Sequence, residues 1–430
     1  MSDQASVPSH DFLKGATVFT LGIYAWKQPL LSRYFPGADL VHLPFGIDLK
    51  RFLRDYADAL AQAVEPCLLT WGALGATDII AHARQAGWRV LYLEDGFIRS
   101  LLVSASRSPP LSLTIDSLAP YFDSRGPTDL ERLLNDYDCP PELLERARRG
   151  LSAFVAGRFT KYDGGLDDGS VLGPRDGRRR VLVIGQVEED QSIRLGSARF
   201  RTNNALVRAA RAEHPDAEVI YKPHPDVLTG IRRRGSDPAE VAGIARLLTR
   251  PVSLARLFEE VDHVYTITSL AGFEALMRGL PVTTFGCPFY AGWGLTEDRQ
   301  PTDRRRRRRR LEELFAIAYI VYPHYFDASS GERLDFEGCL ALIERWRRDG
   351  VPARASDADL WRQPPAWQPV GPYGLLGWRH LLTPIVAAVV RRIGGESGAS
   401  DYRANPIAFF RELAEPRYRL IGRLLYPFDS

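Results

Sequence analysis

Residues 266–296 carry the sequence TITSLAGFEALMRGLPVTTFGCPFYAGWGLT, the stretch that decides the fold. The pattern predicts a strand end, a polar turn, a short helix, a buried strand and a Gly/aromatic loop. Thr268 and Ser269 stand where the helix begins, and there backbone N–H groups and the helix dipole receive an anion. Glu274 follows about one and a half turns into the helix, within reach of a ribose beside a bound phosphate. An ordinary capped helix explains the same residues, so both interpretations stay open at this point.

The composition is that of a soluble globular chain large enough for two domains. The 430 residues are 45% hydrophobic and 25% charged, and the formal net charge is +3. A chain of this length can bury two sizeable cores. Because the net charge is nearly neutral, it does not indicate a nucleic-acid partner.

The cysteines and the hydrophobic runs indicate a reduced, cytoplasmic protein. Four cysteines, at positions 67, 139, 287 and 339, show neither a CxxC spacing nor a disulfide framework. The first residues, MSDQAS, lack the basic and apolar pattern of a signal peptide. No apolar run reaches the 18 or so residues that span a bilayer. Attachment to a membrane surface stays compatible with these features.

The chain alternates strand-like and helix-like segments in two series. Apolar strands at 17–24, 67–72 and 89–96 predict a parallel, doubly covered sheet. A Gly/Asp/Arg-rich linker at 166–180 precedes a second series. That series has strands at 181–185, 218–222, 263–267 and 282–285, and helices at 201–212, at 270–278 and from 251 to 260, the last begun by Ser253. Two Rossmann-like halves of this kind place a ligand in the cleft between them.

Two later segments have unusual compositions. Residues 304–310 are seven consecutive arginines, which predict a solvated loop before a helix at 311–322; an anionic membrane surface or an acidic polymer is the alternative partner. Beyond about residue 350, the apolar segment 378–392 has basic ends and the segment 406–428 is amphipathic. Both fit interfacial helices, and packing on the protein's own body fits them equally.

Three polar motifs follow predicted strands and carry candidate chemistry. Asp190 ends the acidic loop 185–190 and suits a nucleophile or a base, although a solvated acidic turn has the same composition. Lys222 and His224, held by flanking prolines, can donate to phosphate or carboxylate oxygens. Asp95 is a candidate base and Arg99 a candidate for binding an anionic group, with helix capping as the structural alternative. The chain lacks the glycine motifs of nicotinamide enzymes and P-loops, and shows no metal-ligand spacing.

Five ordered motifs together closely resemble the bacterial capsule polysaccharide β-Kdo transferases of the KpsC type. They are LEDGFIRS (93–100), GQVEEDQSI (185–193), YKPHPDV (221–227), TSLAGFEAL (268–276) and TFGCPFYAGWGLTEDR (284–299). The resemblance covers about residues 16–345. It implies an α/β GT-B glycosyltransferase with an acceptor domain at 1–170 and a CMP-sugar donor domain at 178–345, two Rossmann-like domains that face a cleft. Residues 346–430 have no counterpart in this resemblance, and their basic amphipathic segments predict a helical extension associated with the membrane.

The resemblance also implies roles for individual residues in transfer from CMP-Kdo with retention of configuration. Asp190, with Gln186 at the start of its motif, is the expected nucleophile, by the logic of retaining glycosidases. His224 is expected to stabilise the departing phosphate, and Asp95, with Glu94 beside it, to deprotonate the acceptor. The residues expected to bind the CMP-sugar are Lys222, Pro225, Thr268, Ser269, Gly272 and Glu274. No metal or other cofactor is expected.

The resemblance further implies partners and a cellular location. The expected acceptor is a lysophosphatidylglycerol- or Kdo-terminated glycolipid at the inner face of the cytoplasmic membrane, within a capsule assembly and export complex. Family members often carry two transferase modules and this chain carries one, so the linkage position stays open. The alternatives are a sialic-acid-like CMP-sugar transferase or a polyol-phosphate transferase of the same fold, and a non-catalytic scaffold of capsule assembly.

Overall fold

A computed structural model gives the positions of most of the chain. The described residues are 13–23, 27–43, 47–72, 77–100, 109–161, 170–228, 235–250, 252–350, 377–404, 406–413 and 416–426. All statements below concern these ranges.

The strands of the described ranges form two sheets. They are β1 Thr17–Leu21, β2 Asp39–His42, β3 Cys67–Trp71, β4 Arg89–Asp95, β5 Ser112–Asp116, β6 Arg180–Ile184, β7 Glu218–Lys222, β8 Arg246–Leu247, β9 His263–Thr266, β10 Val282–Thr284, β11 Glu297–Asp298, β12 His324–Phe326 and β13 Arg333–Leu334. The first sheet has the order β13-β12-β5-β4-β3-β1-β2, and the second has the order β11-β10-β9-β6-β7-β8. Several of their strands are buried along their whole length, among them β1 and β6. This burial on both faces explains their nearly continuous apolar sequences.

Helices cover the sheets and form the C-terminal extension. They are α1 Gln28–Tyr34, α2 Leu49–Asp55, α3 Ala57–Gln62, α4 Thr77–Gln85, α5 Asp129–Asp136, α6 Pro141–Ala156, α7 Gln191–Gly196, α8 Asn203–Glu213, α9 Pro225–Leu228, α10 Leu254–Glu259, α11 Leu270–Leu276, α12 Leu311–Phe315, α13 Phe336–Asp349, α14 Thr383–Ala404, α15 Pro406–Glu412 and α16 Pro416–Leu425. Helix α10 begins after Ser253, whose side chain accepts from Arg256 N, as the sequence predicts. The single helix predicted at 311–322 is instead α12 followed by a π-helical turn, Ala316–Val321.

The first sheet is mixed, so the prediction of a purely parallel sheet is wrong for this half. Strand β5 runs antiparallel to β4, and β12 runs antiparallel to β5. The reason is that the chain pairs directly back on itself after β4: Gly96 N donates to Ser112 O, and Leu111 N donates to Arg99 O. Two strands that pair by folding the chain directly back in this way run antiparallel. Strands β12 and β13 also belong to the first sheet, although they lie within residues 178–345, the predicted donor domain.

One hydrophobic core joins the two halves. It contains Phe97 beside β4, Phe154 of α6, Phe273 of α11 and Tyr319 of the π-helical turn. The Phe97 ring lies 4.7 Å from Phe289 of the loop after β10 and 5.5 Å from Tyr319, centroid to centroid. Burial of such rings is the main source of stability. This shared core therefore fixes the position of one sheet relative to the other.

The arginine run at 304–310 is a loop before α12, as predicted, but it is only partly solvated: Arg306, Arg308 and Arg310 are exposed, whereas Arg305 and Arg309 are buried. Arg305 is buried, and its Nε donates to Glu131 of α5 at 3.0 Å while Nη1 donates to Ala291 O. Arg304 Nε donates to the same carboxylate at 2.7 Å. Arg309 is also buried, and it donates to Leu134 O and Tyr137 O at the end of α5. Helix carbonyls without intrahelical partners accept such donors readily, which explains why Arg309 packs inward.

The C-terminal extension is helical, as expected. Helices α14, α15 and α16 share a small core of their own, with the buried residues Ala387, Val390, Ala399, Tyr402, Ile407, Phe410 and Tyr426. The Tyr402 and Tyr426 hydroxyls lie 2.5 Å apart within it. Within the described ranges, no helix is long and apolar enough to cross a membrane.

Candidate functional site

Three neighbouring strands of the second sheet end at one edge, and their loops carry most of the predicted site residues. Strands β9, β6 and β7 are adjacent and parallel. Gly185 N donates to Lys222 O at 2.8 Å, which keeps the loop after β6 against the loop after β7. The carboxyl ends of parallel strands are the usual place for a ligand in such a sheet. We call these loops the donor wall.

The buried side chain of Gln186 joins the loop after β6 to the loop after β9. Its side-chain oxygen accepts from Thr268 N at 2.8 Å, and its side-chain nitrogen donates to Thr268 Oγ1 at 3.0 Å. Gln186 N in turn donates to Asn203 Oδ1 of α8. Both the oxygen and the nitrogen of this buried amide are engaged, so Gln186 positions the loop. The sequence motif alone does not distinguish this role from a catalytic one.

Asp190 is exposed at the start of α7. Its Oδ1 accepts from Ser192 N at 2.8 Å, the usual contact of an N-cap carboxylate. Among the described residues, none makes a hydrogen bond to its other oxygen, Oδ2. The neighbouring Glu188 has a different task, because its carboxylate accepts from Asn203 N and Ser236 N and pins the loop at 235–236. Of the three acids in this loop, Glu188 is engaged by backbone donors, whereas Glu189 and Asp190 are exposed.

Lys222 is a buried cation at the end of β7. Its side chain is 9% exposed, and burial lowers its pKa. No hydrogen bond or ion pair joins its ammonium to any residue that the structure describes. His224 follows two residues later, half-buried, and its carbonyl accepts from Val227 N and Leu228 N as α9 begins. The sequence thus turns sharply after β7 at Pro225 and leaves Lys222 and His224 at the sheet edge.

Residues 266–296 also contain side chains with structural roles. Ser269 caps α11, since its hydroxyl accepts from Ala271 N. Gly272 serves packing, because a Cβ at this position would meet the Tyr290 hydroxyl at 2.2 Å. Glu274 is buried and its Oε1 accepts from Lys161 N at 2.6 Å, which anchors the chain where it crosses between the halves. The predicted ligand contacts of these three residues stay predictions.

The first sheet contributes an opposing group of charged residues at the end of β4, which we call the acceptor wall. Glu94 Oε1 accepts from Trp71 Nε1 at 3.1 Å and from Asp95 N at 2.9 Å. Asp95 Oδ2 accepts from Arg99 Nε at 2.7 Å. Lys27 Nζ lies 3.9 Å from Asp95 Oδ1 and 3.1 Å from the centroid of the Trp71 ring. Cation and aromatic face attract each other at this distance.

The two adjacent acids of the acceptor wall have opposite pKa shifts. Burial and the charge of Asp95 raise the pKa of Glu94 to about 7. Burial alone also raises the pKa of Asp95, but the cations Lys27 and Arg99 outweigh it and hold this pKa well below its usual range. Because a base works best when its pKa lies near the ambient pH, Glu94 is the better proton acceptor of the two.

Contacts between the two halves lie close to both walls. Ser124 N of the first half donates to Leu195 O of α7 at 3.2 Å. A Cβ on Gly196 would lie 3.2 Å from Phe122 O and 3.0 Å from Thr268 Cγ2, so these three residues are in contact range. The Phe122 ring also approaches Gly72, beside Glu94 Oε2. A series of contacts through Gly72 and Phe122 therefore links Glu94 to Gly196, the last residue of α7, whose N-cap is Asp190.

Lys27, Trp71 and Lys161 lie near Glu94 and Asp95, although no sequence motif predicted them as site residues. Lys161 acts electrostatically on Glu94 and Asp95, and its backbone binds Glu274. One signal was available: among 56 basic residues only five are lysines, at 14, 27, 50, 161 and 222. Three of these five lie at the walls of the cleft. A compact ammonium suits a crowded anion site.

No metal site accompanies these residues in the part of the chain that the structure describes. Nowhere there do three His, Cys, Asp or Glu side chains come together as ligands of a metal ion do. The expectation that the reaction needs no metal stays a prediction.

Two solved structures show the class of protein to which this chain belongs. The structure is similar to two transferase structures of KpsC from Thermosulfurimonas dismutans, described as β Kdo 2,4 and β Kdo 2,7 transferases. The first match has a TM-score of 0.64 and 32% identity, and covers 76% of this chain and 98% of that one. The second has a TM-score of 0.62 and 31% identity, and covers 77% and 99%. These matches confirm the GT-B glycosyltransferase fold of the KpsC type.

The family follows from two further matches. The model of the capsule polysaccharide biosynthesis protein family matches residues 66–158 and 165–325. The lipopolysaccharide-processing protein LpsZ of Rhizobium meliloti is 41% identical over 342 residues, which are 79% of this chain and 77% of LpsZ. This chain belongs to the capsule polysaccharide biosynthesis protein family. The capsule polysaccharide modification protein LipA of Neisseria meningitidis is 33% identical over 336 residues, and the match spans 46% of its length.

Proposed function

We propose that this protein is a retaining β-Kdo transferase that uses CMP-Kdo to build the Kdo linker of a lipid-anchored capsular polysaccharide. The observation that carries the proposal is the similarity to two β-Kdo transferases over 98% and 99% of their lengths. Because those two proteins differ in linkage position but share the sugar and the anomer, the proposal takes over the sugar and the anomer only. The position of the new bond stays open.

The donor is expected to bind at the donor wall. CMP-Kdo carries a phosphate and a carboxylate, and a buried ammonium with no acidic partner among the described residues gains most from such an anion. Lys222 would bind these oxygens. His224 would donate to the phosphate as negative charge develops on the departing CMP. Thr268, Ser269 and Glu274 would complete the nucleotide site.

Retention of configuration would arise from two inversions at the anomeric carbon. In the first step, a carboxylate oxygen of Asp190 attacks the anomeric carbon of Kdo, and the bond to the CMP phosphate oxygen breaks. CMP leaves with the electron pair of that bond, and a covalent Kdo–Asp190 ester forms. The exposed position of Asp190 and the unoccupied Oδ2 support this role.

In the second step, the acceptor hydroxyl attacks the anomeric carbon and releases the Asp190 carboxylate. Glu94 would take the proton of that hydroxyl, because its pKa of about 7 suits a general base. Asp95 would stay ionised and keep Lys27 and Arg99 in place. The two cations would also make this wall attractive to an acidic glycolipid acceptor.

The test compares the wild type with Asp190→Asn in transfer from CMP-Kdo to a synthetic lipid acceptor that ends in β-Kdo. Asparagine caps helices as well as aspartate does, so the variant keeps α7 and loses only the nucleophile. We expect β-linked product from the wild type, read by mass spectrometry and NMR, and a loss of about 10³-fold or more in the variant. Glu189→Gln, the adjacent exposed acid, is the matched control and should keep its activity.

The alternatives give different results in the same assay. Transfer from CMP-sialic acid or a polyol-phosphate donor, but not from CMP-Kdo, would replace the donor assignment. Full activity of Asp190→Asn would contradict the nucleophile and leave the donor assignment standing. Absence of binding to all these donors would favour a non-catalytic scaffold.

A further inference from the structure

Helix α14 has apolar residues on two opposite sides, and only one of them is buried. Ala387 and Val390 face the small core that α14 shares with α15 and α16. Leu381, which lies two residues before the helix, and Ile385, Val389 and Ile393 recur every four residues and are 51–66% exposed. At 100° per residue, Ile385 and Val389 lie on the side of the helix opposite Ala387 and Val390. We call these four exposed residues the tail stripe.

Helix α16 repeats the pattern on a smaller scale. Leu420, Ile421 and Leu424 are exposed there, and Leu424 is the most exposed large apolar side chain of the described residues, at 74%. Single exposed apolar residues are ordinary, but a continuous row along one helix face marks an interaction surface. The tail stripe therefore calls for a partner that covers it.

Charge beside the tail stripe indicates the chemistry of that partner. Arg391 and Arg392 are exposed at the end of the stripe, and Arg417 and Arg423 are exposed on α16. Over residues 377–426 the sequence has eight arginines against four acidic residues. Guanidinium groups bind phosphate oxygens with two parallel hydrogen bonds. An apolar face bordered by arginines is the pattern of a helix that lies in the headgroup region of an anionic bilayer.

We propose that the tail stripe docks on the surface of an anionic phospholipid bilayer. The four aliphatic side chains would enter the acyl boundary, and the flanking arginines would bind lipid phosphates. A bilayer fits better than a second copy of the chain, because a stable dimer buries about 800 Å² on each partner and one row of four side chains offers less. The proposal does not depend on the transferase assignment, since binding is measured without donor or acceptor.

The experiment is flotation of the full chain with vesicles of equal parts phosphatidylglycerol and phosphatidylethanolamine, and with vesicles of phosphatidylcholine alone. The stripe variant carries Ile385→Gln, Val389→Gln and Ile393→Gln, substitutions that maintain helix propensity. The matched control carries Leu53→Gln and Val64→Gln, two exposed apolar residues of the first half. We expect binding to the anionic vesicles, a loss of about tenfold or more in the stripe variant, and none in the control.

A second variant, Arg391→Gln with Arg392→Gln, tests the electrostatic part. It should lose most of the preference for anionic over phosphatidylcholine vesicles and become less sensitive to salt. Circular dichroism and light scattering would check that each variant stays folded and keeps its oligomeric state. Absence of wild-type flotation, or equal flotation of the wild type and the stripe variant, would overturn the proposal. A dimer that the stripe variant turns into a monomer, with unchanged vesicle binding, would assign the stripe to self-association instead.

Discussion

Two buried lysines on opposite walls of the cleft have different surroundings. Lys27 of the acceptor wall lies against Trp71 and near Asp95, and burial lowers its pKa to about 8 although two carboxylates raise it. Lys222 of the donor wall is also buried, but burial is the only cause of its lowered pKa. A buried charge without a partner is unfavourable, so a protein retains it where a ligand supplies the opposite charge.

The two walls differ in whether their buried charges are balanced within the protein. In the acceptor wall, Lys27 and Arg99 face Asp95 and Glu94, so its charges are balanced within the protein. In the donor wall, Gln186 and Glu188 are engaged by backbone and side-chain donors, and Lys222 has no such partner among the described residues. This difference supports the proposal that the donor wall binds an anion and that the acceptor wall transfers a proton.

The largest expected effect comes from breaking the buried ion pairs that join α5 of the first half to the arginine run. Glu131→Gln removes the carboxylate that accepts from Arg304 and Arg305 and leaves Arg305 buried without its counter-ion. We expect the free energy of unfolding to fall by about 3–5 kcal/mol, measured by urea denaturation. The control is Asp138→Asn, which breaks the exposed pair with Arg307 and should cost about 0.5 kcal/mol or less. Equal losses in both variants would mean that the buried pair has no special weight.

The comparison of the two lysines itself is tested by Lys222→Met and Lys27→Met. Lys222→Met should lower kcat/KM for the donor about 100-fold, because one charge-assisted contact to the donor is lost. Its stability should stay the same or rise, since an unpartnered buried charge is removed. Lys27→Met should instead lose about 2 kcal/mol of stability, because Asp95 and Glu94 lose a counter-charge, with little change in donor KM. The reverse pattern would contradict the assignment of the walls.

The smallest expected effect concerns the pH dependence of transfer. Glu94 accepts a proton only when ionised, so kcat/KM should fall about tenfold per pH unit below pH 7 and level off above it. Asp95→Asn removes a charge that raises the pKa of Glu94, and this limb of the profile should therefore move to lower pH. Glu94→Gln should lose the limb together with most of the activity. If Glu94→Gln kept the wild-type profile while Asp95→Asn was inactive, Asp95 would be the base.

Local patterns predicted much of the fold. The strand positions at 67–72, 89–96 and 181–185 are confirmed within a residue or two, as is the cap that Ser253 forms on α10. These features depend on neighbouring residues: apolar runs for buried strands, and a short polar side chain before a helix. The antiparallel course of β5 and the return of β12 to the first sheet depend on pairings across as many as 213 residues, from Ser112 to Tyr325, and no local pattern reports them.

The arginine run illustrates why composition alone misled. Seven adjacent arginines predict solvation, because each charge costs free energy when it leaves water. Here Glu131 and the last carbonyls of α5, more than 160 residues earlier in the chain, replace that water for Arg305 and Arg309. The same holds for Gln186, whose amide is occupied by Thr268, 82 residues later.

The sequence by itself determined the two α/β series, the family resemblance, and the candidates Asp190, Lys222, His224, Glu94 and Asp95. Only the tertiary structure decided how two adjacent acids differ, since Lys27 and Arg99 lie beside Asp95 and leave Glu94 with a pKa of about 7. It also decided that Lys222 is buried without an acidic partner among the described residues, and that the tail stripe is exposed. Burial and charge are properties of the surroundings in space, and these surroundings come from distant parts of the chain.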